Sequence, residues 1–174
     1  KEKLSNLSSE KNEELIKDLT KQIINLGGKP ILDQSDQKSL IKNLTKQLEI
    51  ISINSILNDK SKNIIKDIEV NKIKLRLQKV EGLPPKELRK LVDKGKKELS
   101  EGIIVVFASK DDKVGIAVGV TESLTNKYDA VEFVKIGSEI IGGKGGGGRK
   151  EFAQAGGQER SKIEDAFEKL KALI

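Results

Sequence analysis

The chain has 174 residues, enough for one good core or for one core with an extended appendage. It contains no histidine, cysteine or methionine. The first two absences exclude thiolate nucleophiles, histidine bases and the usual zinc ligands, which leaves carboxylates, lysines and hydroxyls for any chemistry. The third is the expectation for a segment of a larger protein. The formal charge of +6, from 33 basic and 27 acidic residues, permits nucleic-acid binding without requiring it. No apolar run approaches the ~20 residues of a membrane span and no signal peptide is visible, so the expectation is a soluble, cytoplasmic protein with no membrane partner.

Leu15, Leu19, Ile23 and Leu26 recur at spacings of four and three, and Ile41, Leu44, Leu48 and Ile51 do the same. Between them Gly27-Gly28-Lys29-Pro30 stops a helix, and Ser35 or Asp33 can cap its successor. The pattern predicts two antiparallel helices zipped along an apolar seam, the second running on through Ile56, Leu57, Ile64 and Ile65 toward Ile68. Residues 1–70 therefore read as a helical hairpin, a coiled-coil stalk whose lysines form a solvated face.

The period changes in residues 71–174. Ile73, Leu75 and Leu77 alternate with Lys74, Arg76 and Gln78 as in a half-buried strand. Pro84-Pro85 opens a helix with Leu88, Leu91, Val92, Gly95 and Leu99 on one face. At about 100° per residue, Lys86, Lys90, Lys94 and Lys97 share the opposite face, either as a solubilising surface or as a patch that tracks a phosphate backbone. Ile103 to Ala108 reads as a central strand, and Lys110-Asp111-Asp112-Lys113 turns the chain into a second strand, Val114 to Thr121. Acidic residues are routine in such a turn, and no third ligand joins the two aspartates. Asp129 with Glu132 starts a helix of Phe133, Val134, Gly137, Ile140 and Ile141. Phe152 to Ala155 forms a short strand, and Ile163, Ala166, Phe167 and Leu170 mark a closing amphipathic helix. Helices packed on a small mixed sheet make an α/β (α+β) domain.

Between the last two helices, residues 142–157 hold eight glycines in sixteen positions. Each costs roughly 0.5–1 kcal/mol of order relative to alanine, so something must approach this backbone closely. Lys144, Arg149 and Lys150 punctuate the run, which points to an anion such as phosphate. A flexible linker is the alternative, although linkers mix glycine with serine and lack the Phe152-Ala153-Gln154-Ala155 sequel. A Walker loop needs a hydroxyl after Gly143-Lys144, and Gly145 stands there instead. Gly143-x-Gly145-x-x-Gly148 has dinucleotide spacing, but it follows a helix, so no helix N-terminus faces the anion.

The string from Gly142 through Arg149 to Ala153-Gln154-Ala155-Gly156-Gly157 resembles the signature of the C-terminal domain of alanyl-tRNA synthetase, shared in looser form with the DHH-type phosphoesterases. Leu83-Pro84-Pro85-Lys86-Glu87-Leu88-Arg89 and the two apolar strands occur in the same order, so the resemblance covers about residues 72–174. Arg149 stands where the phosphoesterases often carry histidine, and the Ala-Gln-Ala-Gly-Gly ending is similar to the synthetase branch.

What the resemblance implies is an accessory domain that contacts the outer corner of alanine-specific tRNA, links aminoacylation with editing, and in some members dimerises. The RNA-binding residues would be Lys144, Gly145, Gly146, Gly147, Gly148, Arg149, Lys150 and Gln154, joined by the stripe of Lys86, Lys90, Lys94 and Lys97. The segment itself would be non-catalytic and without cofactor, while ATP, magnesium and zinc would belong to the rest of an alanine-tRNA ligase. With one tyrosine and no tryptophan, recognition through phosphates and 2′-hydroxyls fits better than stacking of bases on an aromatic platform. The alternatives are the substrate-binding half of a phosphoesterase, which would carry metal motifs upstream, and a structural dimerisation module.

Overall fold

The computed structural model describes residues 2–33 and 36–174, with side chains from residue 7 onward. Two compact units divide between Asn58 and Asp59.

The first unit holds helices α1 (Glu2–Asn25) and α2 (Gln37–Asn58). Gly27, at φ +79°, takes the left-handed conformation that ends α1, and the Gly27 and Gly28 amides donate to the Ile24 and Ile23 carbonyls, each at 2.9 Å. Ser35, one of the two expected caps of α2, lies outside the described residues. Asp36 caps the helix, its Oδ1 accepting the Ser39 N–H at 2.9 Å.

The helices run in the same direction, which corrects the antiparallel expectation. Gln37, at the start of α2, exchanges hydrogen bonds with Ser9 and Asn12 in α1. Ile51, fourteen residues later, meets Gly28 and Ile23 at the end of α1. Residues 31–33 accordingly lie back along the pair: Leu32 borders the same surface hollow as Ile16, Thr20 and Ile24, and the Ile31 N–H donates to Gln47 Oε1 at 3.1 Å. Leu19, Ile23 and Leu44 are the buried seam, flanked by Ile16, Leu40, Ile41, Leu48 and Ile51; Leu15 and Leu26 are exposed.

The second unit begins with β1 (Asn63–Val70), where α2 was expected to continue. It pairs with β2 (Ile73–Glu81) across Asn71 and Lys72, both at positive φ as a tight hairpin turn requires. Then follow α3 (Leu88–Leu99), β3 (Ile103–Lys110), β4 (Lys113–Val120), α4 (Ala130–Ile140), β5 (Gly146–Arg149), β6 (Phe152–Gly157) and α5 (Ile163–Lys171). The six strands form one sheet in the order β1-β2-β3-β4-β6-β5, with β2 and β3 the parallel pair and α3 connecting them. This is the mixed α/β fold the periodicity indicates.

α3 packs on β3 and β4, while α4 lies against β4 and β6 with α5 beside it. Leu75, Leu77, Val105, Phe107, Ile116 and Val118 bury against Phe133, Val134, Ile163, Phe167 and Leu170, and Phe107 meets Phe167 edge to face at 5.0 Å. Asp129 accepts the Val131 N–H at 2.9 Å and so fixes the start of α4. Gly95 lets α3 settle on the sheet, since a Cβ there would stand 2.9 Å from Ile104 Cγ1. Arg76, nearly buried, spans β1 and α3 by donating to Asp67 and Glu98.

Candidate nucleic-acid interface

The glycine run is mostly strand, which corrects its reading as an open loop. Gly146 to Arg149 pair with Ala155 to Phe152 as a two-stranded ribbon closed by Lys150 and Glu151, and β5 is the last strand of the sheet. One row of its backbone groups therefore has no strand partner.

Most glycines here answer to close approaches within the chain. Side chains at Gly143 and Gly157 would collide with Gly156 O and Ile141 O, so the two glycine pairs let the end of α4 seat on the end of β6. Ser138 reinforces that contact by donating to Gly156 O at 2.9 Å. A Cβ on Gly146 would strike Ala155, and one on Gly148 would strike Phe152 O and Ala153. Gly145 stands at φ +96°, where glycine avoids the strain of a side chain. Gly147 is different: a Cβ there would meet nothing within 4 Å. Nothing inside the chain demands glycine at this exposed position.

The ribbon and α3 together enclose two adjoining hollows. One, of about 880 Å³, is lined by Lys96 and Lys97 of α3, by Thr121 and Glu122 beyond β4, and by Arg149, Lys150 and Glu151. The other, of about 350 Å³, lies between Arg89 and the strand residues Gly147, Gly148, Arg149, Phe152 and Gln154. Arg149 and Glu151 belong to both. Five cations thus face a cleft that holds two carboxylates, Glu122 and Glu151. The Arg149 side chain is 85% exposed, and the Glu151 carboxylate stands 4.0 Å away. Such a pair is worth little in water, so Arg149 is available to an incoming anion.

The structure divides the predicted site residues. Gly147, Gly148, Arg149, Lys150, Gln154 and Lys97 line the cleft, while Lys144, Gly145 and Gly146 do not. The lysine stripe splits as well. Lys90 pairs with Glu87 at 2.9 Å and Lys94 with Glu98 at 3.8 Å on the outer surface of α3, and Lys86 precedes the helix.

The structure adds to the cleft Lys96 and also Arg89, which the sequence shows only as the end of the Leu83–Arg89 motif. They stand seven residues apart, one helical repeat along the border between the apolar and polar faces of α3, where long cationic side chains lie over apolar surface and put their charge at its rim. The Arg89 guanidinium caps the Phe152 ring at 4.9 Å from its centroid. The Lys96 ammonium donates to the Glu151 carbonyl at 2.5 Å. Burial holds the Lys96 pKa below the ordinary lysine value, against the opposing pull of Asp93 and Glu151. Among the described residues, no three His, Cys, Asp or Glu side chains gather as a metal site.

Residues 70–174 match the family model described as the DHHA1 domain. Over 107 residues the chain is 50% identical to the alanine–tRNA ligase of Parvibaculum lavamentivorans, covering 61% of this chain and 12% of that protein. Over 121 residues it is 45% identical to the alanine–tRNA ligase of Rhodopseudomonas palustris, covering 69% and 13%. The chain thus spans a small part of these curated relatives' length. Among solved structures, the C-Ala domain of alanyl-tRNA synthetase from Aquifex aeolicus is similar at a TM-score of 0.59 and 30% identity, over 62% of this chain and 96% of that one.

Proposed function

This chain belongs to the DHHA1 domain family, and from that premise we propose that it serves as the tRNA-binding accessory domain of an alanine–tRNA ligase. The observation that carries the proposal is the convergence of Arg89 and Lys97 from α3 with Arg149 and Lys150 from the β5–β6 ribbon on one cleft. A cleft of this charge collects phosphates and gains affinity by releasing their counterions. Around it, the unpartnered edge of β5 offers backbone donors and acceptors to 2′-hydroxyls, and Gln154 offers an amide. Gly147 lets such a backbone come close.

On this proposal the rest of the ligase supplies catalysis, with its ATP, magnesium and zinc. The domain contributes a grip on the outer corner of alanine-specific tRNA that keeps the substrate near both the charging and the editing centres, in the cytoplasm where those reactions run. No helix among the described residues is long and apolar enough to cross a membrane.

The helical unit carries an additional role. Ile24 and Leu32 are 55% and 57% exposed beside Ile16, an apolar patch that supports self-association into a homodimer. Sedimentation without RNA should show a concentration-dependent dimer; a monomer at every concentration excludes it.

The experiment for the RNA reading is a titration of alanine-specific tRNA against the chain at several salt concentrations. The logarithm of affinity should fall linearly with the logarithm of salt, at roughly 0.7–0.9 per phosphate neutralised. An affinity indifferent to salt contradicts the proposal.

A further inference from the structure

The Lys150–Glu151 turn, which joins β5 to β6 and carries the cations beside it, is held at both of its carbonyls. Lys150 O accepts the Ala130 N–H at 2.9 Å, at the first residue of α4. Glu151 O accepts the Val120 N–H at 3.0 Å and also the Lys96 ammonium at 2.5 Å. The first two are backbone bonds that any sequence could make. The third depends on one side chain from α3.

That side chain follows a cleared path. A Cβ on Gly119 would lie 2.7 Å from Lys96 Cε and would collide with Val92 Cγ1, so glycine at this point in β4 lets α3 settle and the lysine stem pass over the strand. Lys96 is half-buried, whereas Lys94 and Lys97 on the same helix are exposed. Its charge is spent on a protein carbonyl, where a lysine that serves RNA directly would keep its ammonium turned outward.

We propose that Lys96 is a positioning residue, a strut from α3 that fixes the Lys150–Glu151 turn and thereby sets where Arg149 and Lys150 present their charge. The inference rests on the RNA-binding reading for its purpose, but the strut itself is a property of the fold. It separates two kinds of lysine in one cleft. Lys97 and Lys150 act by meeting phosphate, and Lys96 acts through its neighbours.

The test uses the whole chain with Lys96→Met, which keeps the length and apolar character of the stem, and with Lys96→Arg, which restores a cationic donor. Amide hydrogen exchange is followed at Val120, whose N–H shares the Glu151 carbonyl, and at Phe107 in the core as a control. Binding of alanine-specific tRNA is followed across salt. In Lys96→Met, exchange at Val120 should rise about tenfold with Phe107 unchanged, the effect expected of losing a charge-assisted hydrogen bond. Affinity for tRNA should fall while the salt slope stays at the wild-type value, because no phosphate contact is lost. Lys96→Arg should recover a large part of both.

Unchanged exchange at Val120 overturns the strut. A salt slope lower by about one unit with unchanged exchange also overturns it, by making Lys96 a phosphate contact. If the wild-type chain binds no tRNA at any salt, the RNA reading fails, and the exchange measurement still decides whether the strut exists.

Discussion

The Arg89 guanidinium lies 4.9 Å from the centroid of the Phe152 ring, joining α3 to β6. The cation covers the one aromatic ring of the cleft and stays at its rim, so a single residue both closes the apolar floor and charges the edge. The guanidinium spreads its charge over a broad, weakly hydrated group where an ammonium concentrates it, which makes arginine and lysine unequal over an aromatic ring.

Replacing Arg89 with Lys should therefore keep the positive charge and weaken the contact with the Phe152 ring. Stability should fall by about 0.5–1 kcal/mol, and the salt slope of tRNA binding should stay constant. Urea denaturation together with salt titration checks both. A slope lower by a full unit in Arg89→Lys would contradict this division of roles.

Gly146 and Gly147 are neighbours in β5 with opposite reasons to be glycine. Alanine at position 146 would drive its methyl into Ala155, so Gly146→Ala should cost about 1–3 kcal/mol, as overpacking does. Alanine at position 147 meets open space, so Gly147→Ala should leave stability within about 0.5 kcal/mol while weakening tRNA binding by shielding the backbone. Thermal melts and tRNA titrations of the two variants separate the effects. A Gly147→Ala chain with undiminished affinity would remove the backbone of β5 from the interface.

Arg76 links β1 to α3 through Asp67 and Glu98. Removing it by Arg76→Ala strands two carboxylates and deletes a nearly buried stem, and after allowance for the partial exposure of the carboxylates the cost should be about 2 kcal/mol. The hydrogen bonds from Arg76 hold the Asp67 pKa below its ordinary 3.8. A depressed carboxylate pKa contributes stability that is present above the unfolded value and is lost as pH falls through the folded one. Wild-type stability should thus decline below about pH 4 with a steeper slope than that of Arg76→Ala. Equal slopes in acid denaturation would show that the pair does not couple to folding.

How far the sequence discloses this fold depends on which pattern each segment shares with another. α5 was legible because Ile163, Ala166, Phe167 and Leu170 have no reading other than one helical face, and all four are buried. β1 was not, because Ile64, Ile65 and Ile68 also continue the helical spacing of α2. An edge strand buries too little of either face for a period of two to stand out. The direction of α2 was hidden because one apolar seam serves parallel and antiparallel partners alike, and the answer lay in a connection long enough to run back along α1. The glycines concealed a strand because glycine is poor in strands. Here the small Ala153 and Ala155 opposite them, together with the backbone contacts at Gly143 and Gly157, make glycine the residue that fits. Of the residues that line the cleft, the sequence singles out Gly147, Gly148, Arg149, Lys150, Gln154 and Lys97. Arg89 and Lys96 escaped because their role depends on β6 and the β5–β6 turn, which only the folded sheet brings beneath α3.

The most direct measurement of the central claim, that this cleft binds tRNA through phosphate contacts, is the salt dependence of tRNA affinity in Arg149→Ala beside wild type. Arg149 is 85% exposed and belongs to both hollows, so its loss should leave the melting temperature unchanged, weaken binding, and lower the slope of log affinity against log salt by roughly one unit. Wild-type affinity and slope in Arg149→Ala would contradict the account and move the interface away from this cleft.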